Sequence, residues 1–304
     1  MASVKSSVQG WKTTATRLAV LIVIVLQPLG LGAGWPQEPV APLRIDEEFA
    51  KQEKIYRSQG GDVPSGYVTN RGLSDYAGLL PSGFCDALSR LGSLDRWLDI
   101  GAGDGQAILD YYGGVDDAAP TENCARVGAK GRAVAMSIED RRTDKWRQLA
   151  VSLDDDRIQY LSGKRLRGYS REELGKFQII TDVYGGFSYT EDLSGFVERV
   201  LRLLEIDGVF YTLVQNVHLE GGTDNSKPWY QTELVDAGGR GVKVCSWLKK
   251  TTCVKVVCES KSDWDSPTEL INIRKVCSDV SIPRMKLLQY QAGNPPGRRF
   301  QLEP

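Results

Sequence analysis

The sequence predicts a doubly wound α/β domain on a mostly parallel, seven-stranded sheet with an antiparallel C-terminal strand. Three observations carry this prediction. From residue 96 onward, short apolar or β-branched runs alternate with amphipathic stretches, the rhythm of strands joined by right-handed crossovers. The first such run, "RWLDIGAGDG" (Arg96–Gly105), ends in an acid followed by glycines at every second position. Near the end, "CVKVVCES" and "TELINIRKV" read as two strands separated by the turn signal "DSP", close enough to pair antiparallel.

The chain has 304 residues, 41% hydrophobic and 25% charged, with a formal net charge of -1. That composition supports a packed core. It lacks the basic excess of a nucleic-acid binder and does not favour an acidic partner.

The elements follow in order. "MASVKSSVQGWKTTATR" carries Lys5, Lys12 and Arg17 and no acid; "LAVLIVIVL" (Leu18–Leu26) and the small residues Gly32, Ala33 and Gly34 follow. This is the pattern of a secretory signal, and its apolar run is shorter than the ~20 residues of a spanning helix. Residues 1–34 are therefore expected to be a signal peptide or, through residues 18–34, a membrane anchor, so the protein is expected to be exported or membrane-anchored. Pro36, Pro39 and Pro42 make a linker. "RIDEEFAKQEKIYR" predicts a helix with acids early and bases late, as the helix dipole favours. "LSDYAGLLPSGFCDALSRLG" predicts a broken helical approach with Phe84, Leu88 and Leu91 on one face. Residues 35–92 thus form a linker and helical segment, 93–276 the main domain and 277–304 a loop-like tail.

Within the main domain, "RWLDI", "GRAVAMSIED", "RIQYLSG", "FQIITDVYGGF" and "VFYTLV" predict strands. "AILDYY", "DKWRQLAVSL" and "REELGKF" predict the helices between the first four. "SYTEDLSGFVERVLRLLEIDG" predicts an amphipathic helix with a Ser188–Glu191 capping box, an apolar face of Phe196, Val197, Val200, Leu203 and Leu204, and Gly208 as its stop. "GVKVCSWLKKT" predicts a last helix. The six cysteines match no zinc spacing and His218 is the sole histidine. Most are expected to be small buried thiols, although an even number after a signal-like start also permits disulfides.

Ligands of open parallel sheets bind at the carboxyl ends of the strands. Gly101, Gly103 and Gly105 allow positive φ and let a ligand approach the backbone, the helix beyond presents free N–H groups, and Asp99 can hold a polar or cationic group. This is DxGxGxG and not GxGxxG, and a carboxylate at Asp104 would repel a pyrophosphate.

On "LDIGAGDG", the acid-ended second strand "AVAMSIED", the segment "IITDVYGGF" and "FVERVLRLLEIDGVFYTLV", residues 70–276 resemble the class I S-adenosylmethionine-dependent methyltransferases, with their Rossmann-like sheet. The resemblance implies S-adenosyl-L-methionine as cofactor. It implies that Asp99, Gly101, Ala102, Gly103 and Gly105 line the methionine end of the cofactor. Glu139, or Asp140 in the other register, would bind the ribose hydroxyls, because a carboxylate accepts from both. Asp182 would lie near the transferred methyl and accept a proton or orient the substrate, with Tyr184 beside it. Two features depart from the family pattern. The span from Gly105 to Glu139 exceeds the ~20 residues of the simple nucleotide-binding unit, and the third strand ends in "SGKRL" without the acid that meets the adenine amine. His218 and Lys227–Gln231 are loop positions that could serve as a base and an aromatic substrate wall. Lys249, Lys250 and Lys255 read as a solvated face, and Asp75 and Tyr76 as packing residues that could instead close over the cofactor.

The expected activity is methyl transfer to a small molecule or an envelope component. Two alternatives stand beside it: aminopropyl transfer, which needs acids beyond the fourth strand, and an exported, non-catalytic binding protein on the same scaffold.

Overall fold

The computed structural model describes residues 45–57, 68–113, 124, 129–153, 157–215, 232–261 and 268–304. The expectations for residues 1–34, for His218 and for residues 227–231 lie outside them. Among the described residues, no helix is long and apolar enough to cross a membrane.

Seven strands form the main sheet: β1 (Arg96–Ile100), β2 (Arg132–Met136), β3 (Ile158–Leu161), β4 (Phe177–Asp182), β5 (Leu204–Gln215), β7 (Val254–Lys261) and β8 (Thr268–Lys275). Their order is β3-β2-β1-β4-β5-β8-β7. The pairs from β3 to β5 are parallel, while β8 runs antiparallel to both β5 and β7. This is the predicted α/β class in the methyltransferase type.

Strand alternation sends successive side chains to opposite faces. Leu98, Ile100, Val134 and Ile180 pack on one face with α8 (Leu193–Leu203). Trp97, Ala133 and Ile179 pack on the other with α2 (Leu73–Leu79), α3 (Phe84–Ser89), α4 (Gln106–Tyr111) and α5 (Asp144–Ser152). The two-sided core explains why these strands read as near-continuous apolar runs. Pro81 separates α2 from α3, the break the sequence predicts.

Three expectations are corrected. The stretch after β4 is not one helix from Ser188 to Gly208. A short α7 (Gly186–Tyr189) precedes α8, and the N-cap of α8 is Asp192, whose carboxylate accepts the Gly195 N–H at 2.8 Å. The Ser188–Glu191 box does not form, because Glu191 pairs with Arg165 and Arg167. Gly208 lies inside β5, at a shift in its pairing with β4, where a Cβ would meet the carbonyls of Glu205 and Phe177 at 3.0 Å.

The tail is not loop-like. β9 (Met285–Gln291) and β10 (Gly297–Leu302) pair antiparallel, and β6 (Thr232–Val235) joins β10 in a three-stranded sheet. Phe300 and Met285 bury themselves in the same core as α8. Alternation in "GRRFQL" is masked by Arg298, which is itself buried and donates to the carbonyls of Phe187 and Thr190 and to the Thr232 hydroxyl. α1 (Ile45–Arg57) packs on β9 through an edge-to-face contact of Phe49 with Tyr290.

The cysteines are not free thiols. Cys85–Cys124, Cys245–Cys258 and Cys253–Cys277 are disulfides, and no cysteine is left over. The last two staple the β7–β8 end of the sheet.

Candidate functional site

The carboxyl ends of β1, β2 and β4 open onto one cavity of about 700 Å3. That is the ligand position of an open parallel sheet and a volume in the range of small-molecule sites. Gly101 and Gly103 form part of its wall, with Met136–Glu139 after β2 and Tyr184–Gly186 after β4.

The glycine turn does more than clear the way for a ligand. A Cβ on Gly103 would lie 2.0 Å from the Thr69 carbonyl oxygen, and one on Gly105 would lie 2.4 Å from the Trp146 ring. The segment before α2 therefore lies directly on the turn, and Thr69 O accepts the Asp104 N–H at 2.9 Å. Tyr160 donates its hydroxyl to the Gly103 carbonyl, which ties the end of β3 to the same turn. Ala102 and Gly105 are buried and do not reach the cavity wall.

The two strand-end carboxylates are both fully buried and both absent from the wall. Asp99 accepts the Tyr76 hydroxyl at 2.9 and 3.0 Å and the Thr181 hydroxyl at 2.7 Å, while Trp97 Nε1–H donates to Thr181 at 2.8 Å. Burial pushes the Asp99 carboxyl up to about 6, against the lowering effect of those two hydroxyls. Asp182 accepts the N–H groups of Gly185 and Phe187, each at 2.9 Å, and burial pushes it up to about 7. Asp182 thus shapes the turn after β4. Asp99 is likewise engaged by Tyr76 and Thr181 beneath the cavity wall.

Glu139 does line the cavity, partly exposed and paired with Arg141 at 2.9 Å. Asp140 is exposed and held by Arg142 at 2.6 Å, which draws its carboxyl down to about 2. Of the two registers, the structure brings Glu139 to the wall. Tyr184 is there too, at φ 55, an uncommon conformation for a bulky residue. Such strain is held by its surroundings and concentrates at ligand sites. Gly185 on one side of Tyr184 and the buried Asp182 on the other hold it here.

Sequence reasoning missed Arg71. Its guanidinium stacks 4.7 Å above the Tyr184 ring at the cavity wall and donates to Val68 O at 3.0 Å. No local signal marks it, since its position follows from Thr69 pairing with Asp104. Asp75, by contrast, accepts the Gly72 N–H and caps α2, and Tyr76 packs beneath the turn, as the sequence suggests.

No family model matches the sequence, and no curated protein matches it. Similar solved structures include Haemonchus contortus phosphoethanolamine N-methyltransferase 2 in complex with S-adenosyl-L-methionine, 10% identical, covering 74% of this chain and 60% of that one, with a TM-score of 0.47. A putative O-methyltransferase from Klebsiella pneumoniae is 15% identical over 76% of this chain and 99% of its own, with a TM-score of 0.39. The N-methyltransferase NodS from Bradyrhizobium japonicum is 13% identical over 77% and 98%, with a TM-score of 0.36. These likenesses are distant, and the strand order carries the assignment: the chain has the doubly wound, seven-stranded fold of the S-adenosylmethionine-dependent methyltransferases.

Proposed function

We propose that this protein transfers a methyl group from S-adenosylmethionine to a small-molecule or envelope-component acceptor. The observation that carries the reading is the cavity at the ends of β1, β2 and β4, walled by Gly101, Gly103 and Glu139. The cavity residues fit the cofactor chemically. Glu139 is a carboxylate for vicinal hydroxyls, Ile138 an apolar surface for a base, and Arg71 a cation for the amino-acid carboxylate. When bound, the cofactor supplies a methyl carbon already activated by a sulfonium. The protein's part is alignment and exclusion of water. Tyr184 and Gly185 close the wall near the acceptor, and Asp182 fixes their turn through two N–H bonds. Aminopropyl transfer would need acids free to face a polyamine beyond β4; Asp182 is closed in under the turn, and Glu191, Asp192 and Glu198 in the cavity wall are engaged by arginines or by the α8 cap.

The three disulfides support work in an oxidising compartment, in keeping with export or anchoring through residues 18–34. Cofactor supply then becomes the condition on catalysis. A second reading, a non-catalytic exported binder, draws support from the burial of Asp99 and Asp182 away from the cavity. Isothermal titration of the full chain with S-adenosylmethionine and its demethylated product separates the two. Micromolar binding that weakens at least about tenfold, or ~1.4 kcal/mol, in Glu139→Gln supports the methyltransferase reading. Folded protein that binds neither compound at millimolar concentration overturns it and leaves the binding scaffold.

A further inference from the structure

We infer that the acceptor is an anion, and that Arg199 receives its phosphate or carboxylate group at the end of the cavity formed by α8 and the segment after β3. This rests on the methyl-transfer reading for the word acceptor; the oxyanion site itself does not.

The cavity extends from the glycine turn to a wall of Lys164, Arg165 and Arg167 on one side and Arg199 and Arg202 of α8 on the other. Its acids are already engaged. Glu191 is shared by Arg165 and Arg167. Glu198 is shared by Arg202 at 2.5 Å and by Arg284 at 2.7 Å. Two carboxylates therefore serve four guanidiniums. Asp192 is the α8 cap, Glu53 adds a contact to Arg165 at 3.2 Å, and Glu173 lies 3.6 Å from Lys164 in an exposed pair. With every one of these acids counted, Arg199 is the cation of this wall that has no carboxylate partner among the described residues. Its Nε–H is shut off from solvent and has no hydrogen-bond acceptor.

A desolvated guanidinium N–H without an acceptor is costly, and a guanidinium matches the two oxygens of a carboxylate or phosphate as a fork. Arg199 therefore lines the cavity wall without a carboxylate partner, and its terminal nitrogens, not the closed-off Nε, are the ones an oxyanion in the cavity can meet. The neighbouring guanidiniums reinforce the field: Arg167 shares Glu191 with Arg165, and Arg202 shares Glu198 with Arg284. The global net charge of -1 hides this, because it averages over the whole surface.

The test is isothermal titration of the full chain with inorganic phosphate and, separately, with malonate, against sodium chloride at matched ionic strength. Wild type is expected to bind at least one of the two, and which one tells a phosphate-bearing acceptor from a carboxylate-bearing one. Arg199→Met is expected to weaken that binding at least tenfold and Arg199→Lys to keep part of it. Glu191→Gln, which releases Arg167 and leaves Arg165 with Glu53 alone, is expected to tighten binding several-fold, and this gain does not depend on how well Arg199→Met folds. Folded wild type that binds neither anion, or equal binding by a folded Arg199→Met, overturns the inference. S-adenosylmethionine titrated into the same samples keeps the two readings apart. Cofactor binding without oxyanion binding sinks this site alone, whereas oxyanion binding without cofactor binding keeps the site and sinks methyl transfer.

Discussion

Gly101 and Gly185 pack against each other with no room for a side chain on either. A Cβ on Gly101 would lie 2.5 Å from the Gly185 Cα, and one on Gly185 would lie 2.2 Å from the Ile100 carbonyl oxygen. Two strand ends, β1 and β4, meet through this contact at the cavity wall.

Gly185→Ala should therefore destabilise the protein by about 1–3 kcal/mol, the usual cost of overpacking. Gly101→Ala should cost more, since it adds strain at φ 77. Gly113→Ala supplies the control, with φ 93 but open space around its Cβ. Denaturant midpoints at equal m-value would check the order Gly101, Gly185, Gly113. Equal losses at Gly101 and Gly113 would show that backbone strain alone governs the turn.

Arg71 should matter for the cofactor and little for the fold. Its contacts are a ring face and one carbonyl, so Arg71→Met should leave the melting temperature within a few degrees of wild type. Affinity for S-adenosylmethionine should fall about tenfold, ~1.4 kcal/mol, with Arg71→Lys between the two. Affinity untouched in Arg71→Met would remove Arg71 from the site.

Burial raises the Asp99 carboxyl to about 6 and the Asp182 carboxyl to about 7. Both lie above the unfolded value of ~3.9. The folded chain thus holds protons that the unfolded chain releases. The stability this confers is fully present below the unfolded value and is lost as pH rises through the folded values. The melting temperature should fall between about pH 5 and about pH 8. Asp99→Asn should flatten that slope, because the Tyr76 and Thr181 hydroxyls can reorient to an amide. An unchanged slope in Asp99→Asn would mean that other groups set it.

All six cysteines are paired, so unfolded, non-reduced protein should give no reaction with a thiol reagent. The closed loops span separations of 13, 24 and 39 residues. Chain entropy puts their contributions at about 3 kcal/mol for the shortest and about 4 for the longest. Replacing Cys85 and Cys124 together by serine should therefore cost most. A smaller loss there than for Cys245 with Cys258 would argue against loop closure as the source.

The sheet was legible in the sequence because burial on both faces writes each strand as a local apolar run, "RWLDI" and "FQIITD" among them. The glycine turn and the acid-bearing segment after β2 were legible for the same reason: each is a short string whose meaning is local. Pairing Cys85 with Cys124, seating Arg298 under α7 and bringing Thr69 onto Gly103 are contacts between distant segments, and no local string encodes them. The same holds for the carboxylates. Sequence places Asp99 and Asp182 at the ends of adjacent strands, but only packing decides that Tyr76, Thr181 and the Gly185–Phe187 turn cover them while Glu139, Arg71 and Arg199 face the cavity. The sequence by itself determined the order and kind of the elements, since periodicity follows from which face is buried. The tertiary structure alone decided which charges meet water, a ligand or one another, since that depends on what the rest of the chain lays over them.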